Sequence, residues 1–184
     1  PTARRLEPLP GGIMWIAGQP GDSRHYEMSR ALDSGLVVLT DAPDALAQWV
    51  RNHPVKVIQA HGLTAEGARA LIGGAGFDDI VLLHPPGAGE VAQALAALAD
   101  RGTLNLVLDR TLDAAVVVEL NKLHYQQLAL LGCTGPDLAL AYGARVNRSD
   151  LRPGGVVWLM GAGGAMGHMH MLRTLQLPNR PRAI

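Results

Sequence analysis

The stretch Pro153-Gly154-Gly155-Val156-Val157-Trp158-Leu159-Met160-Gly161-Ala162-Gly163-Gly164-Ala165-Met166-Gly167 decides how this chain is read. An apolar run enters a glycine-rich turn, and a helical pattern follows. In that order the pieces form a device for gripping a diphosphate. The first glycine allows a tight turn, the second lets backbone approach the ligand, and the third permits close helix–strand contact. The helix N-terminus adds unpaired N–H groups and a positive dipole end. Gly161, Gly164 and Gly167 have the GxxGxxG spacing, and Gly163 adds freedom. The expected context is a strand over Val156–Met160 and a helix over His168–Leu175.

A worn copy stands near the N-terminus: Pro10-Gly11-Gly12-Ile13-Met14-Trp15-Ile16-Ala17-Gly18-Gln19-Pro20-Gly21. The register continues, with His25, Met28, Arg30 and Leu32 matching His168, Met171, Arg173 and Leu175. This copy is poorer. Arg24 stands where the third glycine would be, and Gln19-Pro20 stiffens the turn. Asp22 and Ser23 are able to cap the following helix, expected over Asp22–Leu32, and so occupy the N–H groups a phosphate needs. Arg24 offers a charged fork instead. The chain therefore reads as a dinucleotide-binding unit over 9–150 and the start of a second, incomplete one over 151–184. It is expected to be a piece of a longer polypeptide.

Between the two copies the pattern alternates. Apolar runs at Ile13–Ala17, Leu36–Thr40, Val55–Gln59, Ile80–Leu83, Leu104–Leu108 and Leu128–Leu131 lack strict alternation, as strands buried on both faces of a parallel sheet do. Helical patterns lie at Pro43–Asn52, Thr64–Gly73, Gly89–Asp100 and Leu138–Arg145. Six strands with intervening helices predict an α/β, doubly wound Rossmann-like parallel sheet, with an extra C-terminal strand and helix. That extra strand would be an apolar edge, expected to pair with a sheet in its own chain or a partner.

Composition sets bounds. The 184 residues carry a formal net charge of +0 and one cysteine, Cys133. Neutral charge removes the bulk electrostatic argument for nucleic acid or an anionic membrane. One thiol allows neither an internal disulfide nor a multi-thiolate zinc site, which suits a reducing cytoplasm. No apolar run reaches the length of a spanning helix.

Several residues are candidates for ligand contact. Leu36–Leu39 ends in Thr40-Asp41, about 20 residues beyond the first glycine turn, where a carboxylate accepts ribose hydroxyls and favours NAD over NADP. Asp41 also has a reading as a helix cap. His61 and His84 follow the third and fourth strands, at carboxyl ends where such sheets bind ligands. With Gly18, Gln19, Pro20, Gly21, Gly161, Gly164 and Gly167 they complete the cofactor-binding candidates. His168 and His170 point to different helix faces and make no i, i+4 metal pair. Asp78-Asp79 reads as a solvated turn. No Tyr-x-x-x-Lys, Gly-x-Ser-x-Gly or Gly-Lys-Ser/Thr occurs, which excludes the reductase, hydrolase and P-loop motifs that those patterns mark.

Several stretches, in order, resemble the cofactor domain of medium-chain dehydrogenase/reductases, in particular sorbitol and sorbose-phosphate reductase-like members. They are Leu151-Arg152-Pro153-Gly154-Gly155 leading into Gly161–Gly167; Gly76-Phe77-Asp78-Asp79-Ile80-Val81; Gly102-Thr103-Leu104-Asn105-Leu106; and Leu123-His124-Tyr125 followed by Leu131-Gly132-Cys133-Thr134-Gly135. Together they cover most of residues 9–175. The resemblance implies NAD(P)-dependent oxidation of an alcohol, polyol or sugar, a separate zinc-binding catalytic domain, and homo-oligomers. The zinc-ligand motifs of that domain have no counterpart here, so no catalytic residue and no metal are assigned, and the chain alone is expected to be inactive. Two other readings stand beside it: a degenerate module with an assembly role and no cofactor, and an adenine nucleotide ligand such as S-adenosylmethionine.

Overall fold

A computed structural model describes residues 7–29, 32–142, 151, 153–178 and 180–184. The chain divides into two compact units, Pro1–Ala144 and Arg145–Ile184.

The first unit is built on a six-stranded sheet. Its strands are β1 (Ile13–Ala17), β2 (Leu36–Thr40), β3 (Lys56–Ala60), β4 (Phe77–Leu83), β5 (Leu98–Val107) and β6 (Ala129–Cys133). They lie in the order β3-β2-β1-β4-β5-β6, and every neighbouring pair is parallel. This is the doubly wound α/β order, with its switch point between β1 and β4. The apolar runs form strands because both of their faces are covered. Met14, Ile16, Val37, Leu39, Val81 and Leu83 pack on one face. Trp15, Val38, Ile80, Leu82 and Leu104 pack on the other. Neighbouring residues point to opposite sides of a strand, so an unbroken apolar run is what two cores require.

Helices α1 (Asp44–Arg51), α2 (Ala65–Leu71), α3 (Ala88–Ala96) and α4 (Leu120–Tyr125) join successive strands from β2 onward. Leu46, Ala47 and Val50 of α1 close the first core. Ala65 and Ala68 of α2, with Val91 and Ala94 of α3, close the second. Thr64 caps α2, its hydroxyl accepting from the Gly67 N–H at 3.2 Å. The helical pattern from Leu138 is a 3-10 turn over Leu138–Tyr142, and residues 143–145 of that expected helix lie outside the described ones.

Two further expectations for the first unit are overturned. No helix follows β1 among the described residues. Tyr26 and Met28 are buried while Glu27 between them is exposed, the two-residue period of extended chain. This segment runs parallel to residues 136–138: the Glu27 N–H donates to the Pro136 carbonyl at 3.0 Å, and the Leu138 N–H to the Glu27 carbonyl at 2.9 Å. Asp137 fastens it further, accepting from the Ser29 N–H at 3.0 Å and its hydroxyl at 2.7 Å. A backbone committed to a neighbouring segment has no groups left for helical bonds. Arg30 lies outside the described residues.

Nor is Asp78-Asp79 a solvated turn. Both belong to β4, and Asp79 is 1% exposed. One Asp79 oxygen accepts from the Leu9 N–H at 2.9 Å, the other from the Tyr142 hydroxyl at 3.2 Å. Asp78 accepts from the Ile13 N–H at 2.8 Å. The two acids fasten the entry of β1 to β4.

In the second unit, the expected strand Val156–Met160 is not formed. Residues 154–157 run beside 180–183 through one isolated parallel bridge, Val156 with Ala183, and a Val157 N–H to Ala183 carbonyl bond of 3.0 Å. Val156, Trp158 and Met160 are exposed. The glycine turn does lead into a helix, α5 (Ala165–Gln176). The repeated device is thus split: the first copy keeps the strand without the helix, and the second keeps the helix without the strand.

Candidate functional site

The carboxyl ends of β1 and β2 and the first turns of α2 and α3 enclose a cleft of about 350 Å³. Its apolar walls are Trp15, Ala17, Pro20, Leu63, Leu82 and Pro85, and its polar lining includes Gln19, Thr40, Asp41, Thr64, Glu90 and Gln93. This is where ligands of open parallel sheets bind, and the volume is at the small end of ligand pockets, roughly 300–1,000 Å³.

Gly18 follows β1 and donates its N–H to the Thr40 carbonyl at 2.8 Å. A Cβ there would collide with the Asp41 carbonyl oxygen, so only glycine lets the two strand ends close on each other. Gln19-Pro20-Gly21-Asp22 is then a tight turn, closed by the Asp22 N–H on the Gln19 carbonyl at 3.0 Å. Proline at its second position and Gly21 at φ 77° are the residues a type II turn demands. Gly18, Gln19 and Pro20 line the cleft.

Asp41, at the tip of β2, has φ 47°, a left-handed conformation that aspartate tolerates better than most residues. Its carboxylate accepts from the Gly62 N–H at 2.8 Å and meets His61 Nδ1 at 2.9 Å. A carboxylate offers about four lone-pair directions, so Asp41 keeps acceptor capacity toward the cleft. Across from it, the Trp15 indole donates to the Thr40 hydroxyl at 3.1 Å. Glu90 of α3 shares a hydrogen bond with Gln19, and partial removal from water outweighs that bond and raises its carboxyl above the ordinary value.

His84 does not line this cleft. It is buried, with φ 49°, and its Nδ1 lies 3.0 Å from Asp109 just beyond β5. Asp109 also takes Arg24 Nη1 at 3.0 Å, and Arg24 Nε reaches Asp22 at 2.9 Å. Asp22 accepts the Tyr26 hydroxyl at 2.7 Å. Burial raises the Asp22 carboxyl, yet the Arg24 N–H, the Tyr26 hydroxyl and the guanidinium together hold it below the ordinary value. Burial and the bond to Asp22 push the Tyr26 phenol up. Arg24 is therefore no free fork for phosphate. It bridges two carboxylates of its own chain.

In the second unit, Gly161 has φ 76° and accepts the Gly164 N–H at 3.0 Å. A Cβ on Gly167 would overlap the Gly161 carbonyl and stand 2.7 Å from Ala162 Cα. That is the close turn-on-helix contact for which the third glycine serves. Gly164 precedes α5 with no side-chain cap bond. His168 and His170 are both exposed.

The structure thus brings Gly18, Gln19, Pro20, Asp41 and His61 together and leaves His84 in a separate network. Gly161, Gly164 and Gly167 belong to the other unit. Trp15, Glu90 and Gln93 escaped the sequence reading, as did the Asp22–Arg24–Asp109 bridge. Asp109 carried a usable signal, standing just beyond β5 as Asp41 stands beyond β2. A diphosphate fits the first turn poorly, because among the described residues no helix begins directly after it. Among the described residues no group of three or more His, Cys, Asp or Glu is placed to hold a metal, and no helix is long and apolar enough to cross a membrane.

The fold and this crevice define the class, a Rossmann-like α/β architecture with a cleft at the carboxyl ends of its strands. No protein-family model matches the sequence, and no curated protein matches it. Among solved structures the chain is similar to benzyl alcohol dehydrogenase from Acinetobacter calcoaceticus, with TM-score 0.48 and 11% identity over 92% of this chain and 41% of that one. It is similar to an alcohol dehydrogenase zinc-binding domain protein from Burkholderia ambifaria, with TM-score 0.46 and 17% identity over 72% and 36%. An NAD-dependent alcohol dehydrogenase gives TM-score 0.45 and 17% identity over 82% and 45%. The chain spans less than half the length of each of these three proteins.

Proposed function

We propose that the chain is the nicotinamide-dinucleotide-binding part of a medium-chain-type alcohol, polyol or sugar dehydrogenase, whose substrate and proton handling lie in other segments. One observation carries this reading: Asp41 stands at the tip of β2, on a cleft at the carboxyl ends of a sheet ordered β3-β2-β1-β4-β5-β6. There it accepts ribose hydroxyls, and a carboxylate at that place disfavours a 2′-phosphate, so NAD is the preferred form. Gly18, Gln19 and Pro20 border the ligand, Gly21 shapes their turn, and His61 steadies Asp41. Gly161, Gly164 and Gly167 form a second diphosphate turn, in the other unit. The bound cofactor supplies hydride chemistry; the residues of this chain bind and orient it.

The test is a titration with NADH read by energy transfer from tryptophan, with Trp15→Phe to assign the signal to the cleft. Saturable binding weakened at least tenfold by Asp41→Ala is expected. Absence of saturation at millimolar NADH overturns the proposal.

A second reading is favoured by a different observation. The first glycine turn has lost its helix, and Asp22, Arg24 and Asp109 engage each other. A module kept for assembly would show these features and would leave NADH unbound.

A further inference from the structure

We infer that the cleft of the first unit is a nucleoside site that selects against phosphate, so that a dinucleotide is held by its adenosine half alone. The inference rests on the nucleotide-binding reading above and narrows its chemistry.

Three observations converge. Among the described residues, the charged side chains lining the cleft are Asp41 and Glu90, both acids. The arginine nearest in sequence to the turn, Arg24, is spent on Asp22 and Asp109 at 2.9 and 3.0 Å. The chain after Gly21 is extended and paired with residues 136–138, so no helix terminus turns toward the cleft from that side. A phosphate entering here meets two carboxylates and, among the described lining residues, no lysine or arginine to offset its charge; the donors it finds are neutral, at Gln19, Thr64 and Gln93 and at the starts of α2 and α3. A nucleoside meets what it needs: apolar walls at Leu63 and Pro85 for a flat base, and the Asp41 carboxylate for a vicinal diol. Glu90, its carboxyl raised by partial desolvation, hydrogen-bonds a neutral ligand more readily than it tolerates an anion. The volume of about 350 Å³ suits one nucleoside rather than a whole dinucleotide.

The test compares adenosine, AMP, ADP and NADH by calorimetric titration of the whole chain at low and high salt. Adenosine is expected to bind at least as tightly as AMP, with each phosphate weakening binding by roughly threefold at low salt, as a like charge at partly screened separation does. Added salt is expected to tighten AMP and ADP and leave adenosine unchanged, the reverse of a cationic phosphate site. Glu90→Gln is expected to narrow the gap between adenosine and AMP. ADP or NADH binding tenfold tighter than adenosine, and weakening with salt, overturns this inference while leaving the dinucleotide function intact. Failure of all four ligands to bind overturns both.

Discussion

Replacing Asp79 by Ala tests whether the buried acid of β4 holds the sheet together. Asp79 is 1% exposed and accepts from the Leu9 N–H at 2.9 Å and the Tyr142 hydroxyl at 3.2 Å. Hydrogen bonds to a charged acceptor contribute about 1.5–3 kcal/mol each, and a donor left unpaired in the interior costs about 1–3 kcal/mol. Loss of the carboxylate also removes its own desolvation cost, which offsets part of this. The expected net destabilisation is about 2–4 kcal/mol, against a typical domain stability of about 5–15 kcal/mol. Urea unfolding followed by tryptophan fluorescence measures it. Tyr142→Phe alone should cost about 1–2 kcal/mol, and the double variant should cost less than the sum because the two changes break the same bond. An Asp79→Ala loss below about 0.5 kcal/mol, the size of an ordinary surface change, or strict additivity with Tyr142→Phe, refutes the argument.

Four further outcomes are expected. Gly167→Ala forces a Cβ into the Gly161 carbonyl and should melt the start of α5, visible as faster amide exchange over residues 165–170. Thr64→Ala removes the α2 cap and should cost about 1 kcal/mol in the same urea assay. Because the folded-state pKa of Asp22 lies below its ordinary 3.8, its stabilisation is complete above that value and lost as pH falls through the folded one. Asp22→Asn should accordingly flatten the acid limb of stability against pH. Tyr26 is shifted the other way, so its contribution is present below the unfolded pKa near 10 and lost as pH rises through the folded value. In an ultraviolet titration, Tyr26→Phe should delete a phenol that ionises above the ordinary value.

The strands of the sheet were legible because burial on both faces leaves a local mark, an apolar run without alternation. Their ends were less so. β4 begins at Phe77 rather than Ile80, since Asp78 and Asp79 are polar residues whose partners, Leu9, Ile13 and Tyr142, are far away in sequence. Val156–Met160 has the same apolar composition as a strand and forms none, because a strand needs a neighbouring ladder and residues 180–183 supply a single bridge. The helix expected from Asp22 rested on matching residues in the second copy. Met28 of that matching set is buried, as is Tyr26, yet they enter the core from extended chain because residues 136–138 compete for the backbone. Asp41 and the glycine turn could be placed in advance, each being tied to a strand end. Glu90 and Arg24 could not, because what faces them depends on how distant segments pack.

The sheet order has a consequence for synthesis on the ribosome. β1 takes β2, beginning at Leu36, on one side and β4, beginning at Phe77, on the other. While β4 is still being made, the emerging chain can assemble only β3-β2-β1, a half-sheet whose newest flank is the bare backbone of Ile13–Ala17. An unpaired apolar edge of this kind invites other nascent chains. The arrival of Asp78 and Asp79 closes that window, and substitutions at these two acids should lower the yield of soluble protein in cells by more than their effect on equilibrium stability alone.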